Sequence, residues 1–398
     1  MSKVIYLDNN ATTAVAPEVR EAMEPSLAEY YGNPSSMHTF GGQVARHIEE
    51  AREQVADLVG AHPTEIIFTS CGTESDSTAI RSALAVNAGR RHLITTRVEH
   101  PAVRNLCHVL GQEGSAGEGY RLTELPVDSQ GMLNIADLGN ALDDDTALGT
   151  IMWANNETGV LFPIEDVGAL CRSRGILFHT DAVQAVGKVP MNLADLPIDM
   201  LSLSGHKLHA PKGIGALYVR RGTRSSPFLV GGHQERNRRG GTEPVPLIVA
   251  LGKAAELAKQ RMDDEQTRVQ ALRDRLEKGL LAKCPGARLN GHPTARLPNT
   301  TNISFEYVEG EAILLLLDQH GICASSGSAC TTGSLEPSHV LRAMGVPFTA
   351  AHGSVRFSLS VYNTEAEIER VLEILPPIIR RLLEISPFGR EEMAKATS

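Results

Sequence analysis

Lys207 and Asp181 are the two residues whose types and positions most directly suggest chemistry. Lys207 lies in the segment SLSGHKLHA, directly after an apolar run typical of a buried strand. A loop lysine is most simply solvated, but a lysine presented among Ser, Gly and His is also how an enzyme offers a Schiff-base amine. Asp181 ends the apolar run GILFHT, at the strand end where open α/β sheets bind ligands. A helix cap is the plain alternative, whereas a carboxylate near Lys207 would also suit the ring nitrogen of pyridoxal phosphate.

A candidate anion site lies upstream, where the strand pattern EIIFTS runs into Gly72 and Thr73 and a helical pattern begins near residue 75. A strand, a turn of small residues and a helix N-terminus together favour an anion. An ordinary capping box without a ligand explains this segment equally well. The Ser204 hydroxyl and His206 could complete a cup for a phosphate group.

Cys330 and Arg356 are candidates in the C-terminal part of the chain. Cys330 lies in the small polar run ASSGSACTTGS, which offers little shielding, so we interpret it as a nucleophile rather than a buried apolar residue. Arg356 alternates with apolar residues in SVRFSLS. It therefore requires a buried acidic partner or an anionic ligand.

Short β-rich apolar runs alternate with longer helical patterns through the first two thirds of the chain. The runs that predict strands are 65–70, 92–95, 148–153, 176–180, 200–204 and 215–219. The patterns that predict helices are 43–59, 75–87, 101–113 and 164–174. Such alternation predicts an α/β fold with a large, mostly parallel sheet.

The pattern changes after residue 242. Residues 247–281 predict one long helix whose charges form a solvated face. Strand patterns at 301–307 and 354–359, with helical patterns at 310–319 and 364–385, predict a smaller α+β unit. We expect a large domain over 16–260 and a small domain formed by 1–15 and 261–398.

Composition and absent motifs narrow the function. The chain has 398 residues, a net charge of −9 and 4% aromatic residues, which disfavours a nonspecific nucleic-acid surface. It has no P-loop, dinucleotide fingerprint or H-E-x-x-H motif, so ATPases and nicotinamide oxidoreductases lose their usual sequence support. Six dilute cysteines predict reduced thiols in the cytoplasm. The sequence shows neither a signal peptide nor a membrane-spanning run, so we expect neither secretion nor membrane insertion.

With these residues assembled, the sequence resembles the NifS/IscS-type cysteine desulfurases of the class-V aminotransferase family. The resemblance covers almost the whole chain. It implies the aspartate-aminotransferase fold, fold type I of the pyridoxal-phosphate enzymes. Two segments, WANNETGVLFPI and GEAILLLLDQHGICASSGSAC, are similar to the nitrogen-fixation NifS branch. The motifs that carry the resemblance, in chain order, are YLDNNATT, GNPSS, TSCGTES, VEHPAV, WANNETG, HTDAVQAVGK, SLSGHK, APKGIGALYVRR, GGHQE, LPNTTNISF, SSGSACTTGSLEPSHVLRAMG and SVRFSLS.

The resemblance implies a role for each candidate residue. Lys207 would bond to the cofactor aldehyde, Asp181 would pair with the pyridine nitrogen, and Gln184 would hydrogen-bond the ring hydroxyl. His100 would stack on the ring and help move protons. The phosphate would be held by Gly72, Thr73, Ser204 and His206, joined by Thr242 from the other subunit of an obligate homodimer. Asn156 and Arg356 would orient the substrate, and Cys330 would be the nucleophile. Gly72 departs from the family, since alanine is more usual there.

The activity implied by the resemblance is conversion of L-cysteine to L-alanine, with the sulfur held as a persulfide on Cys330. An iron–sulfur scaffold protein would accept the sulfur, and Cys330 would ligate a transient [2Fe-2S] cluster shared with it. Three alternatives remain open at this point. One is a selenocysteine lyase or another transferase with the same cofactor, the second is a non-catalytic sulfur carrier, and the third is a metal-binding protein.

Overall fold

The computed structural model describes residues 4–112, 117–326 and 337–388. The strands in this part of the chain are β1 (Ile5–Tyr6), β2 (Ile66–Thr69), β3 (His92–Thr96), β4 (Arg121–Leu125), β5 (Thr146–Thr150), β6 (Leu177–Asp181), β7 (Met200–Ser204), β8 (Gly215–Val219), β9 (Ala287–Asn290), β10 (Thr300–Phe305), β11 (Ile322–Cys323) and β12 (Ser354–Ser358).

The α-helices of the described residues are α1 (Pro17–Met23), α2 (Pro25–Ala28), α3 (Thr39–Val59), α4 (Gly72–Val86), α5 (Pro101–Gly111), α6 (Ile135–Ala141), α7 (Ile164–Ser173), α8 (Gln234–Asn237), α9 (Val245–Gln260), α10 (Met262–Asp264), α11 (Gln270–Lys283), α12 (Gly310–Asp318), α13 (His339–Ala343), α14 (Phe348–Ala351) and α15 (Glu365–Ile385). Short 3₁₀ turns span Pro63–Glu65 and Gly205–Lys207, and a π-helical turn spans Glu265–Val269. Within these described ranges, no helix is both long and apolar enough to cross a lipid bilayer.

A seven-stranded sheet forms the centre of the larger part of the fold, in the order β2-β8-β7-β6-β5-β3-β4. Its strands pair in parallel except β8, which is antiparallel to both β2 and β7. The predicted α/β class with a mostly parallel sheet is therefore confirmed. The edge strand β4 is an addition, since its mixed sequence RLTEL carries no strong strand pattern.

Helices cover both faces of this sheet because each presents one apolar stripe. On one face α3 buries Val44, Ile48 and Val55, which recur at helical spacing and join the same core cluster as α9. Gly252 allows α9 to approach closely, because a Cβ atom there would lie 2.6 Å from the Cα atom of Ala51. The helices α4 and α5 cover the other face.

The C-terminal part packs around a second apolar cluster. The antiparallel sheet β12-β10-β9 and the parallel pair β1-β11 are buried against α11, α12 and α15. Leu7 belongs to this cluster, so the N-terminal segment packs with the C-terminal part. The division into two domains near residue 260 stays a prediction.

The prediction of a single long helix over 247–281 is wrong, because the segment is divided. The helix α9 ends at Gln260, and α10 and the π turn precede α11. No Gly or Pro marks this break in the sequence. The physical reason is tertiary: Leu257 packs in the first core cluster and Val269 in the second, and the extra residue of a π turn rotates the apolar stripe from one core to the other.

Candidate active site

A cavity of about 240 Å³ opens where β6 and β7 end. These strands are parallel neighbours that end at Asp181 and Ser204, so their terminal side chains meet at one edge of the sheet. The cavity brings together most of the residues singled out from the sequence, namely Gly72, Thr73, His100, Asn156, Asp181, Gln184, Ser204, His206, Lys207 and Arg356.

Lys207 ends the 3₁₀ turn that follows β7, and its side chain borders the cavity. Its Nζ atom donates hydrogen bonds to the carbonyl oxygens of Asn10 and Ala11, the latter at 2.7 Å. Burial, followed by the charges of Arg356 and Lys188, lowers the pKa of Lys207 to about 7. Near neutral pH a large share of the amine is therefore unprotonated and nucleophilic.

Asp181 and Gln184 present polar atoms to the cavity from the end of β6 and the turn after it. Asp181 is 6% exposed, its Oδ1 atom accepts a hydrogen bond from the Val183 amide at 2.9 Å, and burial raises its pKa. Gln184 donates through Nε2 to the Asn10 carbonyl oxygen at 3.0 Å. Its buried Oε1 atom has no hydrogen-bond partner among the described residues.

Asp76, which lines the cavity, and His179 on β6 are two buried residues that the sequence analysis did not single out. The Asp76 carboxylate lies 3.6 Å from Nε2 of His179, and burial, with the nearby charge of Asp181, raises its pKa. Burial lowers the pKa of His179 to about 3, so this ring is neutral. Hydroxyl groups of Thr150 and Ser202 hold its two nitrogens at 2.8 and 2.9 Å.

The anion site predicted at the start of α4 lies in the same cavity. The helix begins at Gly72, three residues before the predicted start, because its first turn follows β2 almost directly. A Cβ atom at Gly72 would lie 2.9 Å from Cγ2 of Val183, so glycine keeps this wall open. The buried Oγ atom of Ser204 has no partner among the described residues. Burial lowers the pKa of His206 to about 4, which leaves a neutral ring beside the helix N-terminus.

His100, Asn156 and Arg356 also line the cavity. His100 caps α5, its Nδ1 atom accepts from the Ala102 amide at 3.2 Å, and burial lowers its pKa. Arg356 lies on β12, 2% exposed, and donates to Asp8 at 2.7 Å and to the Asn156 carbonyl oxygen at 2.9 Å. The sequence analysis predicted a buried acidic partner or an anionic ligand for Arg356, and the structure supplies the partly buried Asp8 as an acidic partner.

These groups fit pyridoxal phosphate. A near-neutral amine can bond to its aldehyde, and a buried carboxylate can face its ring nitrogen. The partnerless Oε1 of Gln184 can accept from the ring hydroxyl, and the partnerless Oγ of Ser204 at a helix N-terminus can donate to the phosphate.

One predicted residue lies elsewhere. Thr242 is exposed and does not line the cavity of its own chain. Cys330 lies outside the described residues. Within the part of the chain that the structure describes, no group of three or more His, Cys, Asp or Glu side chains could hold a metal ion.

The N-terminal segment is the part of the site that sequence reasoning missed. Asp8, Asn10 and Ala11 contact Arg356, Gln184 and Lys207, although they lie near the start of the chain. The segment YLDNNATT supported the family resemblance, and that motif was the signal that could have assigned these residues to the site.

Comparison with known proteins assigns the family. The model of the class-V aminotransferase family matches residues 5–371. A protein named cysteine desulfurase 2 from Trichormus variabilis is 63% identical over 389 residues, 98% of this chain and 96% of that protein. The cysteine desulfurase NifS of Azotobacter vinelandii is 60% identical over 385 residues, covering 96% and 94%. A solved NifS-like protein superposes with a TM-score of 0.88 at 38% identity, covering 96% of this chain and all of that one.

The chain therefore belongs to the class-V aminotransferase family, and the resemblance inferred from its motifs is confirmed. Its fold is that of the NifS-like proteins, consistent with fold type I of the pyridoxal-phosphate enzymes.

Proposed function

We propose that this protein is a pyridoxal-phosphate-dependent cysteine desulfurase that converts L-cysteine to L-alanine and retains the sulfur on Cys330. The observation that carries the proposal is the meeting of Lys207, Asp181 and Arg356 in one cavity. The names of relatives at 60% and 63% identity support the same activity.

Pyridoxal phosphate would be held by Lys207 at its aldehyde, by Asp181 at its ring nitrogen and by Gln184 at its ring hydroxyl. Its phosphate would be bound by Gly72, Thr73, Ser204 and His206. When bound, this cofactor supplies an electron sink that weakens the bonds at the Cα and Cβ atoms of an amino acid.

The protein side chains bind the substrate and move its protons. The Arg356 guanidinium, beside Asn156, binds the α-carboxylate of L-cysteine, since a planar fork of donors matches a carboxylate. The amine of Lys207 and the ring of His100 both have lowered pKa values. The Lys207 amine, with its pKa of about 7, can therefore accept a proton and return it near neutral pH, and the neutral His100 ring can accept a proton.

Sulfur transfer is assigned to Cys330. Its thiolate attacks the substrate sulfur, so that a sulfur–sulfur bond forms while the carbon–sulfur bond breaks. The bonding electrons stay with the three-carbon fragment, which takes up a proton and leaves as alanine. Ser325 pairs with the backbone of Arg356 beside the cavity. Cys330 is five residues further along the sequence.

The test is a product analysis with the purified protein, pyridoxal phosphate, dithiothreitol and L-cysteine. We expect alanine and sulfide in equal amounts without pyruvate. Cys330→Ala should abolish both products and leave the absorption spectrum of the bound cofactor intact, whereas Cys323→Ala, a matched thiol on β11, should retain turnover. Pyruvate with ammonia would instead indicate β-elimination, and alanine formation by Cys330→Ala would refute the persulfide route.

We also infer a homodimer in which Thr242 completes the phosphate site of the partner. Phe228, Leu229 and Val230 support this, because they form an exposed apolar run. The Gly240 amide donates to the Leu229 carbonyl oxygen at 2.8 Å, so this run is tied to the segment that carries Thr242.

The sulfur acceptor that we propose is an iron–sulfur scaffold protein, consistent with the NifS name of one relative. Cys330 would then ligate a [2Fe-2S] cluster transiently, as cargo. The cytoplasm is the proposed location, since reduced thiols suit persulfide chemistry.

A further inference from the structure

Lys188 and Glu265 are two buried charged residues that the proposed reaction does not use. Lys188 is 5% exposed and Glu265 is 7% exposed. Among the described residues, the Lys188 ammonium donates one hydrogen bond, to the Gln184 carbonyl oxygen at 3.2 Å. The Oε2 atom of Glu265 has no hydrogen-bond partner there. Buried charges are costly unless they are paired, so this arrangement requires a reason.

The two residues border the same small cavity, and Lys207 lies in its wall. The cavity measures about 30 Å³, enough for one or two water molecules. It lies apart from the larger cavity described above, with Lys207 lining both. Lys188 and Glu265 can therefore act on Lys207 from a cavity other than the one that would hold the substrate.

The π turn of Glu265–Val269 holds this pair in place. Glu265 is its first residue, and the next residue, Gln266, donates through Nε2 to the carbonyl oxygen of Lys188. The same turn thus carries the acidic member of the pair and contacts the backbone of the basic member. Single π turns within helical segments occur frequently at functional sites.

The charge of Glu265 affects the pKa of Lys188, and the charge of Lys188 affects the pKa of Lys207. Burial lowers the pKa of Lys188 and raises that of Glu265. The charge of each residue acts against the effect of burial on the pKa of the other. The charge of Lys188 in turn contributes to the lowered pKa of Lys207. The other charged or titratable groups that act on these three or share the cavities are Asp8, Cys71, Asp76, His100, Asp181, His206, His209, Arg261, Asp264, Arg268 and Arg356.

We propose that Lys188 and Glu265 are a pair of positioning residues: the buried charge of Lys188, stabilised by Glu265, keeps the Lys207 amine neutral and ready to react. This proposal rests on the proposed function, because it concerns the lysine that would bond to pyridoxal phosphate. Neither residue touches the substrate cavity, so their effect passes through Lys207.

The experiment measures how fast Lys207 captures added pyridoxal phosphate in the full chain stripped of cofactor, from pH 5.5 to 9. Capture is followed by absorbance, and borohydride reduction with peptide mapping assigns the modified lysine. The rate follows the fraction of neutral amine. For the unaltered protein we expect the midpoint near the pKa of about 7.

Lys188→Met removes the positive neighbour, so the pKa of Lys207 rises and the midpoint moves upward by roughly one pH unit. At pH 6 capture should then slow by roughly tenfold. Glu265→Gln removes the group that stabilises the buried ammonium. Lys188 then loses its proton, and the midpoint moves in the same direction. The double variant should shift no further than Lys188→Met alone.

Two comparisons make the result decisive. Lys253→Met, on α9 and paired with Glu256 at 3.2 Å, is the control and should leave the midpoint unchanged. Glu265→Gln is nearly isosteric and provides the test if Lys188→Met does not fold. An unchanged midpoint in folded variants, or a downward shift in Glu265→Gln, would overturn this proposal. Failure of the unaltered protein to capture the cofactor at Lys207 would instead refute the proposed function.

Discussion

The Arg356 side chain can make contacts within the fold and also bind the substrate. It is almost fully buried, donates to Asp8 and Asn156, and still has a buried Nε atom without a partner among the described residues. A guanidinium can keep these contacts and also bind a carboxylate because it carries five donors in a rigid plane, whereas an ammonium is a point charge. The residue is therefore suited to hold its own β-strand contacts and a substrate carboxylate together.

Arg356→Lys tests this assignment. The variant keeps the charge but loses the fork, so we expect the KM for L-cysteine to rise by roughly 10- to 100-fold, as for a lost charge-assisted hydrogen bond. The rate of cofactor capture at Lys207 should change little. Steady-state kinetics and the capture assay measure the two quantities separately. An unchanged KM would show that the substrate carboxylate binds elsewhere.

The turn between β6 and β7 shows how packing of elements positions Lys207. Gly187 has φ of 75° and lies against Leu208, the residue after Lys207, and against Ala258 of α9. A Cβ atom at Gly187 would lie 2.5 Å from Cδ2 of Leu208 and 3.2 Å from Cβ of Ala258. Because Leu208 is buried, it has little room to move away.

Gly187→Ala should therefore destabilise the fold and disturb Lys207. We expect a loss of roughly 1–3 kcal/mol from overpacking, in addition to backbone strain, and slower cofactor capture. Gly175→Ala is the matched control, since Gly175 also has positive φ, 62°, but an added Cβ atom there would meet nothing within 4 Å. Thermal unfolding of both variants separates the two effects. Equal losses of stability in the two variants would mean that backbone strain accounts for the effect and that packing against Leu208 contributes nothing.

At the scale of the whole molecule, the proposed homodimer joins two incomplete sites. Thr242 is exposed in its own chain, while the Ser204 hydroxyl at the phosphate site lacks a partner among the described residues. Both observations fit a site that a second copy completes, since symmetric dimers exchange the same surface in both directions.

Mixed dimers test this exchange directly. Lys207→Ala chains lack the reactive amine, and Thr242→Ala chains should bind the cofactor phosphate more weakly. After the two variants are refolded together in equal amounts, random pairing gives one intact site in each mixed dimer, about a quarter of all sites. Cofactor binding and alanine formation should exceed the mean of the two separate variants. Refolded Thr242→Ala alone is the control, and no gain on mixing would place Thr242 outside the partner's site.

Much of the fold was predictable from local patterns. The predicted strands at 200–204 and 215–219 coincide with β7 and β8, and the predicted helix at 364–385 begins one residue before α15. These segments are short-range features whose periodicity is set by side chains a few residues apart. The break in the predicted helix over 247–281 was not predictable in this way, because it arises where one helical segment leaves one core cluster and enters another.

The sequence by itself determined the class of fold, the family and the identity of the residues with reactive side chains. Lys207, Asp181 and Arg356 were recognisable because strand ends and alternating patterns are local features. Only the tertiary structure decided how those residues are surrounded. The contacts of Lys207 with Asn10 and Ala11, the ion pair of Arg356 with Asp8, and the buried pair behind Lys207 join segments far apart in the chain. Burial and charge set the reactivity of an amine or a carboxyl group, and both depend on neighbours that only folding brings together.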